Sequence, residues 1–199
     1  FTQIFAQHNT LRARVISHKN SSILSFFYQE KNVFTRCVNL FYQRGDATVW
    51  DFWNHFNRNV IGNTVSIDFN NFFKYIYHEV NVVIQANNVL DPNTQTQYIH
   101  LIQAQMNNDE LFCYLINQIS HYHNIQSRNN NIELDRARIY AEKLKEYDFF
   151  REISKNIGLY NCPNARDYSY YIEEMYYDNH TRAYIEIFIN QEYLRRLSV

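Results

Sequence analysis

Arg12 and His18 stand six positions apart near the start of the chain, and their residue types suit phosphate binding and proton transfer. A guanidinium can bind a phosphate and an imidazole can act as general acid or base, chemistry open to a metal-independent ribonuclease. The chain holds 8 His and 19 Lys plus Arg, so a spacing of this kind also arises by chance. Lys74 and His78 form a second candidate. Four apart on a helix, they share a face. With Asn71 and Asn81 they make a polar stripe able to contact phosphate or a partner protein. The plain reading of such a stripe is a solvated helix surface. His121 and His123 invite a metal reading, but residues two apart on a helix diverge, and no third ligand sits at a matching offset. No metal and no cofactor are expected, since G-x-x-x-x-G-K, G-x-G-x-x-G and H-E-x-x-H are all absent.

Helices must position these groups. Only 3 Gly and 2 Pro occur in 199 residues, too few breakers for a turn-rich sheet protein, and 46% hydrophobic residues suffice for a packed core. The expected fold class is all-α, a multi-helix bundle-like domain with orthogonal packing and a C-terminal helical appendage. A first helix spans residues 1–18. Val33, Phe34, Cys37, Val38 and Phe41 mark a second. Trp50, Phe52, Trp53 and Phe56 form a short aromatic element. Phe69, Phe72, Phe73, Ile76, Tyr77, Val80, Val83 and Ile84 repeat at three and four, the strongest helical pattern in the chain. Asp91-Pro92 breaks the run. The next helix is read with Tyr98, Leu101, Ile102, Gln105 and Met106 on its inner face, so Gln105 is expected to point inward and need partners. Asn107 and Glu110 have the spacing of a capping box that opens a helix from Asp109 to Tyr122.

The polar run at residues 127–131 separates a core, residues 1–126, from a C-terminal part, residues 132–199, expected to pack on it as one domain. Further helices are read over 132–147, 148–157, 166–177 and 181–196. The alternation from Tyr184 to Ile189 also suits a strand. Cys37, Cys113 and Cys162 are odd in number with no paired spacing, which fits buried thiols in a reducing compartment. Net charge is -1, so bulk electrostatics favour no strong nucleic-acid binding. The 17 Tyr, 15 Phe and many Asn match the amino-acid bias of an AT-rich genome. No run is long and apolar enough for a membrane span. Phe1 replaces an initiator Met and already reads as helix interior, so the chain is expected to be an excised piece.

Four segments resemble, in order, the phage abortive infection (AbiC-type) family. Phe72-Phe73-Lys74-Tyr75-Ile76-Tyr77-His78 is similar to its Y-F-R-x-L-Y-H motif. Tyr98 to Leu111, including Gln103, Gln105, Asn107 and Glu110, is similar to Y-x-x-L-x-R-A-Q-[LM]-[ST]-x-x-E-L. Ile4 to Asn9, ending in His8 and Asn9, resembles an N-terminal F-x-x-L-x-x-H-N stretch, and Leu144 to Phe150 a later I-x-x-Y-x-L-L segment. Lys74 and Gln103 stand where the pattern has Arg, and Asn71 where His is common. Lys keeps the charge but not the planar fork, and Gln loses the charge.

The resemblance implies an all-helical bacterial protein of antiphage defence, often with membrane segments ahead of the domain. The expected location is therefore cytoplasmic, including the inner face of the cell membrane where such a segment precedes. His8, Asn9, Tyr77, Gln105, Asn107 and Glu110 are expected to be structural motif residues. Asn71, Lys74, His78, Asn81 and Gln103 are the expected binding residues for a phage or host protein. A conventional enzyme is the less favoured class. Two other readings stand beside this one. Arg12 and His18 would make the chain a ribonuclease of the HEPN type, with RNA as partner. An aromatic surface would make it a homo-oligomeric scaffold.

Overall fold

Local capping chemistry sets the boundaries of the helices, and the computed structural model describes residues 2–17, 33–128, 130–155 and 168–198. The helices are α1 (Thr2–Ser17), α2 (Val33–Tyr42), α3 (Val49–His55), α4 (Gly62–Gln85), α5 (Pro92–Ala104), α6 (Asn108–Ser127), α7 (Asn131–Glu146), α8 (Arg151–Ser154), α9 (Tyr168–Tyr177), α10 (Arg182–Phe188) and α11 (Gln191–Leu194). No strand occurs among the described residues, so the fold is all-α, and Tyr184 to Ile189 is helical up to Phe188 rather than extended. His18, Gly158 and Cys162 lie outside the described residues.

Side-chain caps open five of the helices, α3, α5, α6, α7 and α11. Thr48 accepts from the Asp51 amide at 3.2 Å and opens α3. Asp91 accepts from the Asn93 and Thr94 amides at 3.0 and 3.1 Å, with Pro92 in the first turn where its missing N–H costs nothing. Asn130 caps α7 and Asn190 caps α11. The end of α7 is less obvious. Asp148 adopts a left-handed φ of 54°, the Phe149 amide donates to Leu144 O at 2.9 Å, and the Asp148 amide donates to Lys145 O at 3.0 Å. That is a Schellman stop without glycine, and the two residues it links, Leu144 and Phe149, are both fully buried. A single π-turn over Phe56–Val60 follows α3, and Gly62, at φ 72°, turns the chain into α4.

Helix α6 is buried on nearly every side, from Leu111 through Ile119 to Tyr122 and Ile125. A helix apolar all round belongs at the centre of a bundle. Accordingly α2, α3, α7, α8 and α10 all pack on it, while α4 packs on α1 and α5. Of the apolar ridge read in α4, Phe69, Phe72, Ile76, Val80 and Val83 are fully enclosed, Phe73 is nearly so and Ile84 is half-buried, while Tyr77, at 38% exposure, lies at the edge of the ridge and not in the core. Phe34, Trp53, Phe69, Phe73 and Tyr114 fill the space between α2, α3, α4 and α6. Their rings meet tilted or edge to face, as with Phe69 and Phe73 at 4.8 Å and 72°, except that Phe73 stacks on Tyr114 at 5.6 Å and 27°. Much of the aromatic load is therefore core. Cys37 and Cys113 are buried free thiols, and burial pushes the Cys113 thiol well up, holding it protonated.

One phase differs from the sequence reading. In α5 the buried residues are Gln95, Ile99, Ile102 and Gln103, so the helix is turned by about one position. Leu101 is 46% exposed, and Gln105 is half-buried with its amide donating to Leu101 O at 3.4 Å. Leu101 therefore does not share the core with Phe73, Ile76, Val80 and Leu115, and Gln105 does not point inward. The cause is Gln95. Its amide donates to Val83 O at 3.0 Å, and its carbonyl accepts from the Tyr147 hydroxyl at 3.2 Å. A satisfied polar side chain sits on the core face, which apolar counting cannot register.

Beyond the polar run, α10 packs on α6, α7 and α9, and buried residues from both halves join one hydrophobic cluster. Tyr193 donates to Asp148 at 2.9 Å, and burial beside that carboxylate pushes the phenol up to about 12. No helix among the described residues is long and apolar enough to cross a membrane.

Candidate functional site

The first turn of α6 gathers side chains from three other helices, α1, α2 and α9. Asn107 caps it, accepting from the Glu110 amide at 2.9 Å, while the Glu110 carboxylate accepts from the Asn107 amide at 2.9 Å. The capping box read from spacing is therefore present. Glu110 is fully buried, and its other oxygen accepts from Nε of Arg12 at 2.6 Å. Burial pushes the Glu110 carboxyl above its ordinary range, and Arg12 and the Asn107 amide pull it back. Asp109, beside it, accepts from Thr35 of α2 and from the Tyr168 hydroxyl of α9. Two carboxylates at a helix N-terminus also lie where the macrodipole favours negative charge.

Four residues before Arg12 on the same face of α1, His8 is fully buried. Its Nδ1 lies 2.9 Å from Oε2 of Glu79, which is 3% exposed on α4. The Phe72 ring stands edge-on to the imidazole at 5.3 Å. His8 Nε2, Glu79 Oε1 and Gln103 Nε2 find no hydrogen-bond partner among the described residues. Two hydrogen-bonded pairs thus pin α1: His8 to α4 and Arg12 to α6. We expect Asn107→Ala to remove one capping bond and lower the unfolding free energy by about 0.5–2 kcal/mol in a urea titration.

The proposed binding residues divide. Asn71, Lys74 and His78 are exposed on α4 and Asn81 is half-buried, so all four reach one face of that helix. Ile67, 61% exposed, and Val82, 50% exposed, extend the same face at helical spacing. Gln103, at 4% exposure, is not on that surface and belongs to the interior. Asn9 is exposed on α1. Tyr77 is 38% exposed, with its ring 4.6 Å from Tyr140. Arg12 is held by Glu110. His121 and His123 diverge as expected, His123 stacking on Trp50 at 3.9 Å. No cluster of three metal-ligating side chains occurs among the described residues.

Sequence reading passed over Glu79, Asp109 and Thr35. Glu79 had a legible signal: Phe72, Ile76, Glu79 and Val83 repeat at four, three and four, which puts the carboxylate on the core ridge. Comparison with family models, curated proteins and solved structures found no match to this chain.

Proposed function

We propose that this chain is the helical sensing and interaction domain of a bacterial antiphage system of the abortive infection type, meeting a phage or host protein through the exposed face of α4. One observation carries the reading. His8 and Glu110, which lie in segments that bear the resemblance, are both buried, and each is paired with a residue just outside those segments: His8 with Glu79 across 71 positions and Glu110 with Arg12 across 98. Motif residues in the interior explain a pattern that holds a fold, and they leave the Asn71, Lys74 and His78 face of α4 for recognition. The Arg12 guanidinium is engaged by a carboxylate, which speaks against its holding a scissile phosphate.

Phage protection by the full-length protein in its native operon tests this. Lys74→Ala with His78→Ala should abolish or sharply weaken protection with little change in Tm, since exposed helix positions seldom affect stability. Undiminished protection would make the stripe a solvated face and remove the proposed surface.

A further inference from the structure

A cleft of about 420 Å³ opens between α6 and α7, away from the junction around Glu110. That volume lies in the range of roughly 300–1,000 Å³ found for small-molecule sites. Its construction follows from two helical stripes. Gln118, His121, Tyr122, Ile125 and Arg128 recur at three and four along α6 and its C-cap. Glu133, Arg136, Ala137 and Tyr140 do so along α7. The Tyr114 and Tyr140 hydroxyls, 2.6 Å apart, tie the two helices together at one level. Tyr140 and Phe188, at 4% and 2% exposure, form the floor, and the more exposed Tyr77 ring forms a wall.

The charges in this cleft do not balance. Arg128 and Arg136 line it against a single carboxylate, Glu133. Neither guanidinium makes an ion pair among the described residues, and the nearby acids Asp135 and Glu142 are taken by Arg138 at 3.2 and 3.9 Å. His121 lines the cleft as well, its imidazole held below its ordinary value by desolvation and then Arg128, against Glu133, which raises it. Aromatic walls with two uncommitted guanidiniums suit a planar ring bearing phosphate. Guanidinium matches phosphate oxygens in a bidentate fork, and an aromatic side chain stacks on a base whatever its identity.

We propose that the cleft between α6 and α7 binds a mononucleotide, with its base against Tyr77 and its phosphate on Arg128 and Arg136. The proposal does not depend on the defence reading.

Isothermal titration of AMP into the full chain at low salt tests it. Saturable binding is expected, with adenosine and inorganic phosphate each at least tenfold weaker than AMP. Arg128→Gln with Arg136→Gln should weaken AMP at least tenfold with Tm unchanged, Tyr77→Ala should weaken it several-fold, and Arg58→Gln should leave it as it is. Three results would each overturn the proposal: no saturable binding of AMP, GMP, CMP or UMP at millimolar concentration; phosphate binding as tightly as AMP; or AMP affinity indifferent to the arginine substitutions.

Discussion

His8→Ala should destabilise the protein by about 3–5 kcal/mol, the cost of leaving a buried carboxylate without its partner. Glu79 is enclosed at 3% exposure, and one of its oxygens already finds no partner among the described residues, so losing His8 strands the whole group. The loss falls on the packing of α1 against α4. Urea unfolding measures it, and limited proteolysis should show α1 cut first. The compensating experiment is His8→Phe with Glu79→Leu. Both replacements are apolar, and the Phe ring can keep the edge-on contact with Phe72. Swapping a buried polar pair for apolar groups of similar shape is often neutral, so the double variant should recover most of the loss. A cost below about 1 kcal/mol for His8→Ala, the scale of an exposed ion pair, would mean the pair is not enclosed as described.

Phe73→Ala should cost about 3–5 kcal/mol by emptying the middle of the aromatic cluster. Phe73 is 2% exposed, and its ring lies 4.8 Å from Phe69, 5.6 Å from Tyr114 and 5.8 Å from Trp53. These neighbours come from three helices and are themselves wedged, so the cavity cannot collapse cheaply. Leu101→Ala is the matching control. Because Leu101 is 46% exposed, its loss should stay within about 0.5 kcal/mol, although both residues read as core by periodicity. Equal effects from the two would reject the observed phase of α5.

The contrast between those residues shows where periodicity works. In α4 the ridge is almost wholly apolar, so counting threes and fours finds the buried face, and the same count applied without regard to residue type finds Glu79. In α5 the inner face carries Gln95 and Gln103, and the hydrogen bonds of Gln95 are made to Val83 and Tyr147, groups that no local pattern contains. The capping box at Asn107 was legible because both of its bonds are local. The end of α7 was legible only as a break, since a left-handed aspartate does what glycine usually signals. At the junction, the sequence offered Arg12 as a phosphate ligand. The fold instead brings it to Glu110 across 98 positions, and pairing at that separation follows from topology rather than from spacing. The Arg128 and Arg136 cleft was invisible for the same reason, being made of two unremarkable helical faces that meet only in the hairpin.

The defence reading is tested most directly by plating a broad phage panel on cells that carry the full-length gene in its native operon and on cells from which it has been deleted. The account predicts that at least one phage plates several-fold less efficiently, or worse, when the gene is present, and that infected cells stop growing before releasing progeny. Equal plating of every phage with and without the gene would contradict it.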